Sequence, residues 1–424
     1  MKCKWLLAGA FAFLTSTLGL NTSAGVMVEA ASLHTVRFTW DIIPSAVDYE
    51  FVLLSGEEDT KENVVRRWRE FFTNGLTLDL SAYSNLAEEG LYWKVCALDF
   101  HGNYIGHFSK PVSIDEDSTF NPAAPLTTTE FEDMDYFPLY PVYSWIPQAG
   151  ARRHQVQVYR MESGGDVCVR DFYGDDNDVY DWESYTIPGR YYWRVRSCND
   201  EGRATSEWSD ASYFYIETPT PIAALGDSIT HGGGAVSVPQ GYLLYDWETY
   251  SPVPVKNLGL SGNTTAEMLE RFEDDVLPWQ PRVLVIMGGV NDFRAGITGS
   301  ETVSNLTEIR DKCDAYGIIP VFVTPTPIRP DYMVHRIAGI EVPPSDWLVH
   351  FNYINHWVKG QRFHVDVASA LQDEEGNLRG NYTTDGLHPD YYGKKYIGEN
   401  IGRYLEANFA WLTNDLDKKP IPLP

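Results

Sequence analysis

The residues whose types and spacing could do chemistry are a serine and an Asp/His pair in the last half of the chain. Ser228 lies in the string GDSIT at 226–230, and Asp385 and His388 lie three residues apart in DGLHP at 385–389. A serine hydroxyl is a weak nucleophile until a base takes its proton, and an imidazole, with a reference pKa of about 6.5, suits that task near neutral pH. A carboxylate beside the ring orients it and stabilises the imidazolium. These residues predict serine-based acyl transfer, with Ser228 as nucleophile, His388 as base and Asp385 as its partner.

Two further strings contain candidate donors for the oxyanion of such a reaction. They are SGN at 261–263 and GGVND at 288–292. The backbone N–H of Gly262 can approach a substrate without a Cβ in the way, and Asn291 carries a side-chain amide. Together with the backbone N–H of Ser228 they would give three donors, and loss of one such donor typically costs about 3 to 4 kcal/mol in the transition state.

Each of these residues also has a purely structural interpretation. Ser228 could cap a helix, Asn291 could belong to a turn, and His388 could lie in a solvated loop. The tetrapeptide HGGG at 231–234 imitates an oxyanion string of some lipases, but here it follows the serine directly, so we interpret it as a turn. Thr230 replaces the second glycine of Gly-x-Ser-x-Gly, which argues against an α/β-hydrolase elbow.

Apolar runs precede the first three strings and predict buried strands. In open parallel sheets, ligands bind at the carboxyl ends of the strands, so the strings are expected to meet in one crevice. Two more runs complete a five-stranded parallel sheet, and helical patterns alternate with them. The predicted fold class is α/β, a doubly wound sheet with strands near 221–225, 256–260, 282–287, 318–323 and 363–367, and helices that include 301–316 and 391–409.

The four strings, in this order, resemble the four sequence blocks of the SGNH (GDSL-type) hydrolase family over roughly residues 219–412. The resemblance implies a flavodoxin-like α/β fold and a serine esterase without a cofactor. It implies the same roles for the residues quoted above: a triad of Ser228, Asp385 and His388, and an oxyanion hole formed by Ser228, Gly262 and Asn291.

The first half of the chain contains an internal repeat. The strand YWKV at 92–95 recurs as YWRV at 192–195, and each copy is followed by an aromatic residue and a serine, at 108–109 and 208–209. Short alternating runs divided by Gly, Pro, Asn and Asp are typical of β-sandwiches. The two copies resemble fibronectin type III domains, and we predict modules at 33–116 and 130–217 and a catalytic domain at 219–412.

Composition sets the cellular context. Residues 1–24 carry Lys2 and Lys4, an apolar stretch and a small residue at the end, which is typical of a secretory signal peptide. No later apolar run approaches the ~18 residues of a bilayer span, so a secreted protein without a transmembrane anchor is predicted. A formal charge of −26 disfavours nucleic acid as a partner.

The cysteine pattern indicates neither a metal site nor a disulfide framework. Four cysteines follow the leader, and no Cys-x-x-Cys spacing occurs. We expect no metal and no other cofactor. The one pairing considered is Cys168 with Cys198, because both fall in the second predicted module.

The predicted function is hydrolysis of carboxylic esters through an acyl-enzyme, on an acylated small molecule or polysaccharide. An aromatic insertion at 236–250 is expected to contribute to the acyl or alcohol pocket. Export, acidity and sandwich modules favour deacetylation of a carbohydrate. Two alternatives stay open: a lipase-like or lysophospholipase-like acylhydrolase, and a non-catalytic carbohydrate-binding or adhesion protein. The modules are either spacers at a cell surface or glycan-binding units.

Overall fold

The computed structural model describes residues 35–44, 46–71, 73–99, 101–114, 118–234 and 242–416. The predicted leader at 1–24 and the first part of the aromatic insertion lie outside the described residues. None of the helices in these ranges has the length and apolar character needed to cross a bilayer.

Residues 35–120 form the first β region, which consists of antiparallel strands. Its sheets have the orders β4-β1-β8 and β3-β2-β5-β6, with β7 paired to β5. The rings of Phe51 and Trp93 stack between these sheets with centroids 5.6 Å apart. The strands are β1 (Thr35–Thr39), β2 (Asp48–Leu54), β3 (Val64–Phe71), β4 (Gly75–Asp79), β5 (Tyr92–Leu98), β6 (Tyr104–Ile105), β7 (Val112–Ser113) and β8 (Ser118–Phe120).

Residues 126–216 form the second β region, with sheets of order β13-β10-β9 and β12-β11-β14-β15. The repeated segments make the same contact in both regions. In the first region, Ser109 Oγ accepts a hydrogen bond from the N–H of Val95 (3.1 Å). Ser209 Oγ accepts the N–H of Val195 (3.0 Å). The strands are β9 (Leu126–Thr127), β10 (Val142–Ile146), β11 (Arg153–Arg160), β12 (Val167–Asp175), β13 (Asp178–Tyr180), β14 (Gly189–Cys198) and β15 (Ser212–Ile216).

The Cys168–Cys198 pairing is wrong. Both residues are free thiols, and they lie beside opposite ends of β11. Cys168 is opposite Tyr159, whereas Cys198 is opposite Arg153. Six residues of strand separate these two positions, which is about 20 Å at the usual rise.

The last part of the chain forms a parallel sheet of order β17-β16-β18-β19-β20 with intervening helices. The predicted α/β fold class, with two all-β regions ahead of a five-stranded parallel sheet, is confirmed. The strands are β16 (Ile222–Gly226), β17 (Lys256–Gly259), β18 (Val283–Met287), β19 (Ile319–Val323) and β20 (His364–Val365). The helices are α1 (Ser228–His231), α2 (Thr265–Glu270), α3 (Phe272–Val276), α4 (Val290–Arg294), α5 (Gly299–Tyr316), α6 (Pro330–Arg336), α7 (Trp347–Lys359), α8 (Ala368–Leu371) and α9 (Tyr391–Leu416).

Strand order explains where a site can form. The first strand of the sheet, β16, lies between the second and third, so the chain reverses its winding direction there. Such a switch point opens a crevice at the carboxyl ends of the strands. Gly226 at the end of β16 pairs with Gly259 and Met287 of the neighbouring strands, so all three strands end at the same level.

The second β region and the parallel sheet share one hydrophobic core, whereas the core of the first β region is separate. The segment at residues 137–140 makes the junction. The N–H of Leu139 donates to the carbonyl of Asn257 (3.0 Å). Lys256 is fully buried, donates to the carbonyl of Phe137 and lies 3.8 Å from the ring centre of Trp279. The second β region therefore contacts the strands that carry the candidate site.

Candidate active site

Ser228 is the first residue of α1, directly after β16. Asp227 caps this helix, with its carboxylate accepting the N–H of Ile229 (2.9 Å). The Ser228 side chain is only 7% exposed, and its Oγ lies 3.0 Å from Nε2 of His388. The other ring nitrogen of His388, Nδ1, lies 2.8 Å from Oδ2 of Asp385. The structure therefore brings the three predicted triad residues into one hydrogen-bonded series.

One short loop holds both the acid and the base of this series. Oδ1 of Asp385 accepts the backbone N–H groups of Leu387 and His388, each at 2.8 Å. The hydroxyl of Thr383 donates to the carbonyl of His388 (2.8 Å). Burial raises the pKa of the Asp385 carboxyl, but the charge of His388 and these hydrogen bonds outweigh it and hold the pKa below its usual value. The carboxylate thus stays ionised at neutral pH.

Gly262 and Asn291 follow the two strands that flank β16. Gly262 is exposed, has φ of +87°, and a Cβ added there would meet no described atom within 4 Å. Asn291 is buried; its Nδ2 donates to the carbonyl of Asn263 (2.9 Å), and its Oδ1 accepts from Arg294 (3.2 Å). These two bonds fix which way the amide faces. Because Nδ2 carries two hydrogens, the bond to Asn263 uses only one of them.

His231 links the second β region to this site, a role that the sequence did not reveal. The ring is buried, with Nε2 2.5 Å from the carbonyl of Tyr140 and Nδ1 2.8 Å from Oγ of Ser261. A carbonyl can only accept, so Nε2 carries the proton and Nδ1 accepts from Ser261. Burial lowers the pKa of His231 to about 4, which keeps the ring neutral. The chain separation from Tyr140 explains why no local motif signals this contact.

A second unpredicted residue, Lys394, ties α9 to the turn that carries the serine. Its fully buried ammonium donates to the carbonyl of Ile229 (2.7 Å). Burial lowers the pKa of Lys394, while the carboxylates of Asp246, Glu248 and Asp227 act in the opposite direction. Burial also raises the pKa of Asp227 to about 7.

The described part of the aromatic insertion differs from the expectation that its rings line a substrate pocket. Tyr245 and Trp247 are almost completely buried and belong to the protein interior. Oδ1 of Asp246 accepts the N–H of Gly233 (3.2 Å), so the insertion packs against the HGGG turn. Within the described residues, no group of three or more His, Cys, Asp or Glu side chains is arranged to hold a metal ion.

Known proteins are similar to the part of the chain that contains these residues. Residues 224–396 match the model of the GDSL-like Lipase/Acylhydrolase family. A curated relative, the uncharacterized lipoprotein YqeF of Bacillus subtilis (strain 168), is 30% identical over 118 residues, which are 25% of this chain and 49% of that protein. The chain thus spans about half the length of this relative.

Solved structures of similar proteins cover less than half of the chain. A lipase/acylhydrolase from Enterococcus faecalis has 23% identity, a TM-score of 0.36, and coverage of 44% of this chain and 95% of that one. A GDSL-like lipase from Bacteroides thetaiotaomicron VPI-5482 has 22% identity and a TM-score of 0.35. The match covers 44% of this chain and 87% of that one. An acetyl xylan esterase from Geobacillus stearothermophilus has 18% identity and a TM-score of 0.34. The match covers 45% of this chain and 96% of that one. On the basis of the match to the family model, residues 224–396 form a GDSL-like lipase/acylhydrolase domain. This domain contains Ser228, Asp385 and His388.

Proposed function

We propose that this protein is a serine esterase that cleaves carboxylic esters through an acyl-enzyme on Ser228. The observation that carries the proposal is the unbroken series from Ser228 Oγ to His388 Nε2 and from His388 Nδ1 to Asp385. His388 takes the hydroxyl proton as Oγ attacks the ester carbonyl carbon, and it then gives that proton to the leaving alcohol. A water molecule, activated by the same ring, attacks the acyl-enzyme carbonyl and releases the acid.

The proposed oxyanion hole consists of the N–H groups of Ser228 and Gly262 and the amide of Asn291. The positions of these groups after three neighbouring strands support it. So does the Nδ2 hydrogen of Asn291 that the bond to Asn263 does not use. Donors held in this way stabilise the charge that develops on the carbonyl oxygen in the transition state.

The substrate class we propose is an acetylated carbohydrate outside the cell. The leader pattern at 1–24 supports export, as does similarity to a protein described as a lipoprotein. The strongly acidic chain disfavours anionic polymers. We also propose domain bounds of 33–116, 130–217 and 219–412, with the first two resembling fibronectin type III modules. A lipase-like acylhydrolase is the second candidate, because the family includes enzymes of that description.

Ser228→Ala tests the proposal. Wild type is expected to hydrolyse p-nitrophenyl acetate and to be labelled by a fluorophosphonate. The variant should lose the label and at least about 10⁴-fold in kcat, because no other described group replaces the nucleophile. Ser304→Ala, which alters an exposed serine on α5, is the matched control and should keep the wild-type rate.

The same assay separates the candidate functions. Rates that fall from acetate through butyrate to palmitate fit a deacetylase, and the opposite order fits a lipase. Wild-type rates retained by Ser228→Ala, or labelling of another serine, contradict the assignment. A wild-type protein inactive on all three esters supports the binding-protein alternative.

A further inference from the structure

An aromatic pair, of which Trp182 is exposed and Tyr180 half-buried, lies where the second β region meets the candidate active site. Trp182 is 60% exposed, and its ring stacks on that of Tyr180 with centroids 5.1 Å apart and planes at 15°. The Tyr180 ring in turn contacts His231, edge to face, at 6.1 Å. A large flat apolar surface thus faces solvent beside a residue of the nucleophile helix.

The backbone between the two aromatic residues is firmly anchored. Asp181 is buried, and its N–H donates to the carbonyl of Pro141 (3.0 Å). Its carboxylate accepts from the Tyr185 hydroxyl (2.7 Å), from Arg170 (3.3 Å) and from the N–H of Glu183 (3.1 Å). Since side chains that are already ordered lose less entropy on binding, this pair is prepared to bind a ligand.

The pair lies on the Gly262 side of the site. His231, which Tyr180 contacts, holds Ser261 through Nδ1 (2.8 Å), and Ser261 precedes Gly262 in the chain. Gly262 itself is exposed, and the contacts from Trp182 through Tyr180 and His231 to Ser261 link the aromatic pair to the proposed oxyanion hole.

We propose that Trp182, supported by Tyr180, is a subsite that stacks against a pyranose ring of a neutral, acetylated oligosaccharide whose ester lies at Ser228. The proposal rests on the proposed esterase function and names its substrate. An open, flat indole suits the C–H face of a sugar, whereas a long acyl chain requires an enclosed apolar slot. The neighbouring Glu183, whose side chain is 75% exposed, forms an ion pair with Arg170 (3.2 Å). The strong net negative charge of the chain disfavours polyanionic substrates.

Trp182→Ala tests this inference, with acetylated xylo- and cello-oligosaccharides and p-nitrophenyl acetate as substrates. Loss of the stacked surface should raise KM for the oligosaccharides about tenfold, which corresponds to one aromatic contact. Hydrolysis of p-nitrophenyl acetate, which has no sugar ring to stack on Trp182, should stay within about twofold of wild type. Trp182→Phe should recover most of the loss.

Trp411→Ala is the matched control. Trp411 is 47% exposed and packs against Arg282, the residue before β18, so it lies near the amino ends of the strands, opposite the candidate site. It should leave both substrates unaffected. Unchanged oligosaccharide KM in Trp182→Ala overturns the inference, and so does an equal loss on both substrates. A wild type that cleaves p-nitrophenyl acetate but none of the oligosaccharides also overturns it, while the esterase proposal stands.

Binding to the Ser228→Ala variant separates the two proposals. Calorimetric titration with the same oligosaccharides should show binding in Ser228→Ala and about tenfold weaker binding in Ser228→Ala/Trp182→Ala. If Ser228→Ala keeps wild-type activity on p-nitrophenyl acetate, the esterase assignment fails whatever the titration gives. Equal affinity in the two variants overturns the Trp182 subsite alone.

Discussion

Two buried histidines with different surroundings resist protonation for the same reason. His154 is fully buried in the second β region; its ring packs 5.0 Å from Trp145, and neither nitrogen has a hydrogen-bond partner. Burial lowers its pKa to about 4, as it does for His231. Only His231 has hydrogen bonds that depend on a neutral ring. His154 therefore adds an acid-sensitive element that makes no contact with the site.

The first prediction concerns acid stability. In the unfolded chain a histidine titrates near pH 6.5, so between about pH 6.5 and 4 the unfolded state binds more protons than the folded state. The contribution of these two rings to the free energy of unfolding is therefore greatest above about pH 6.5, and it decreases as the pH falls towards 4. His154→Leu should remove about 3 kcal/mol of this pH dependence between pH 7 and 4.

Urea unfolding from pH 4 to 7.5 measures this effect. His107→Leu, which changes an exposed histidine of the first β region, is the control and should follow the wild-type curve. A His154→Leu variant that is as acid-sensitive as wild type would show that this ring does not titrate on unfolding.

At the residue scale, the sequence was informative where chemistry depends on residue type and order. Ser228, His388 and Asp385 occur in short strings, and their meeting needs only the predicted strand order. The contacts of His231 and Lys394 could not be predicted, because each joins residues far apart in the chain. The exposure of Trp182 was equally hidden, since a sequence does not say which way a ring points.

At the scale of elements, α9 is held against α1 by one buried lysine. Lys394 lies in the first turns of α9, after the loop with Asp385 and His388, and its ammonium bonds the carbonyl of Ile229 in α1. Burial raises the pKa of Glu248 well above its usual value, and both of its side-chain oxygens are buried without a hydrogen-bond partner. Asp246 and Asp227 are further acidic groups near the ammonium. The relative position of nucleophile and base thus depends on a residue outside the triad.

The second prediction is that Lys394→Met lowers both stability and turnover. The substitution leaves the buried carbonyl of Ile229 without its donor and removes a buried cation close to Asp246 and Asp227, which should cost about 3 kcal/mol of unfolding free energy. We expect kcat on p-nitrophenyl acetate to fall at least about tenfold, since small displacements between nucleophile and base have large effects on rate. Thermal unfolding and steady-state kinetics measure the two effects.

Lys395→Met is the matched control, because Lys395 is the exposed neighbour on the same helix. It should resemble wild type in both measurements. Wild-type kcat in Lys394→Met would show that this lysine does not position the serine.

Element boundaries were less predictable than element order. Helices α2 and α3 follow one another in the chain, but they are separated at Arg271, which has φ of −87° and ψ of 5°. The Arg271 side chain donates to the carbonyls of Gly226 and Leu258, contacts that no local pattern signals. The Thr264 cap, in contrast, forms as its sequence suggests, with a reciprocal bond to Glu267.

At the scale of the whole molecule, the two β regions differ in their relation to the parallel sheet. The second shares its core, whereas the first has a separate core and contacts the rest through individual side chains. Among the latter are Ile42, which packs in the cluster around Tyr242, and His101, whose Nε2 lies 2.9 Å from Arg336. The repeat in the sequence indicated similar folds but not these different attachments.

The third prediction follows from this difference. A chain that begins at residue 122 should keep its activity on p-nitrophenyl acetate, with a Tm within about 5 °C of the full chain. A chain that begins at residue 219 loses part of the shared core, so we expect its Tm to fall by more than about 10 °C. It should also bind a dye specific for exposed apolar surface.

Calorimetry and dye fluorescence on the three chains test this expectation. The shorter deletion serves as the control for removal of a β region as such. A fragment from residue 219 that is as stable and active as the full chain would show that the shared core is dispensable.

The junction at residues 137–140 also has a consequence for biosynthesis. The carbonyls of Phe137 and Tyr140 leave the ribosome more than 90 residues before their donors, Lys256 and His231. At about 5 to 20 residues per second, they wait on the order of ten seconds for these partners. The second β region is therefore complete before the strands that cover its apolar surface have been synthesised.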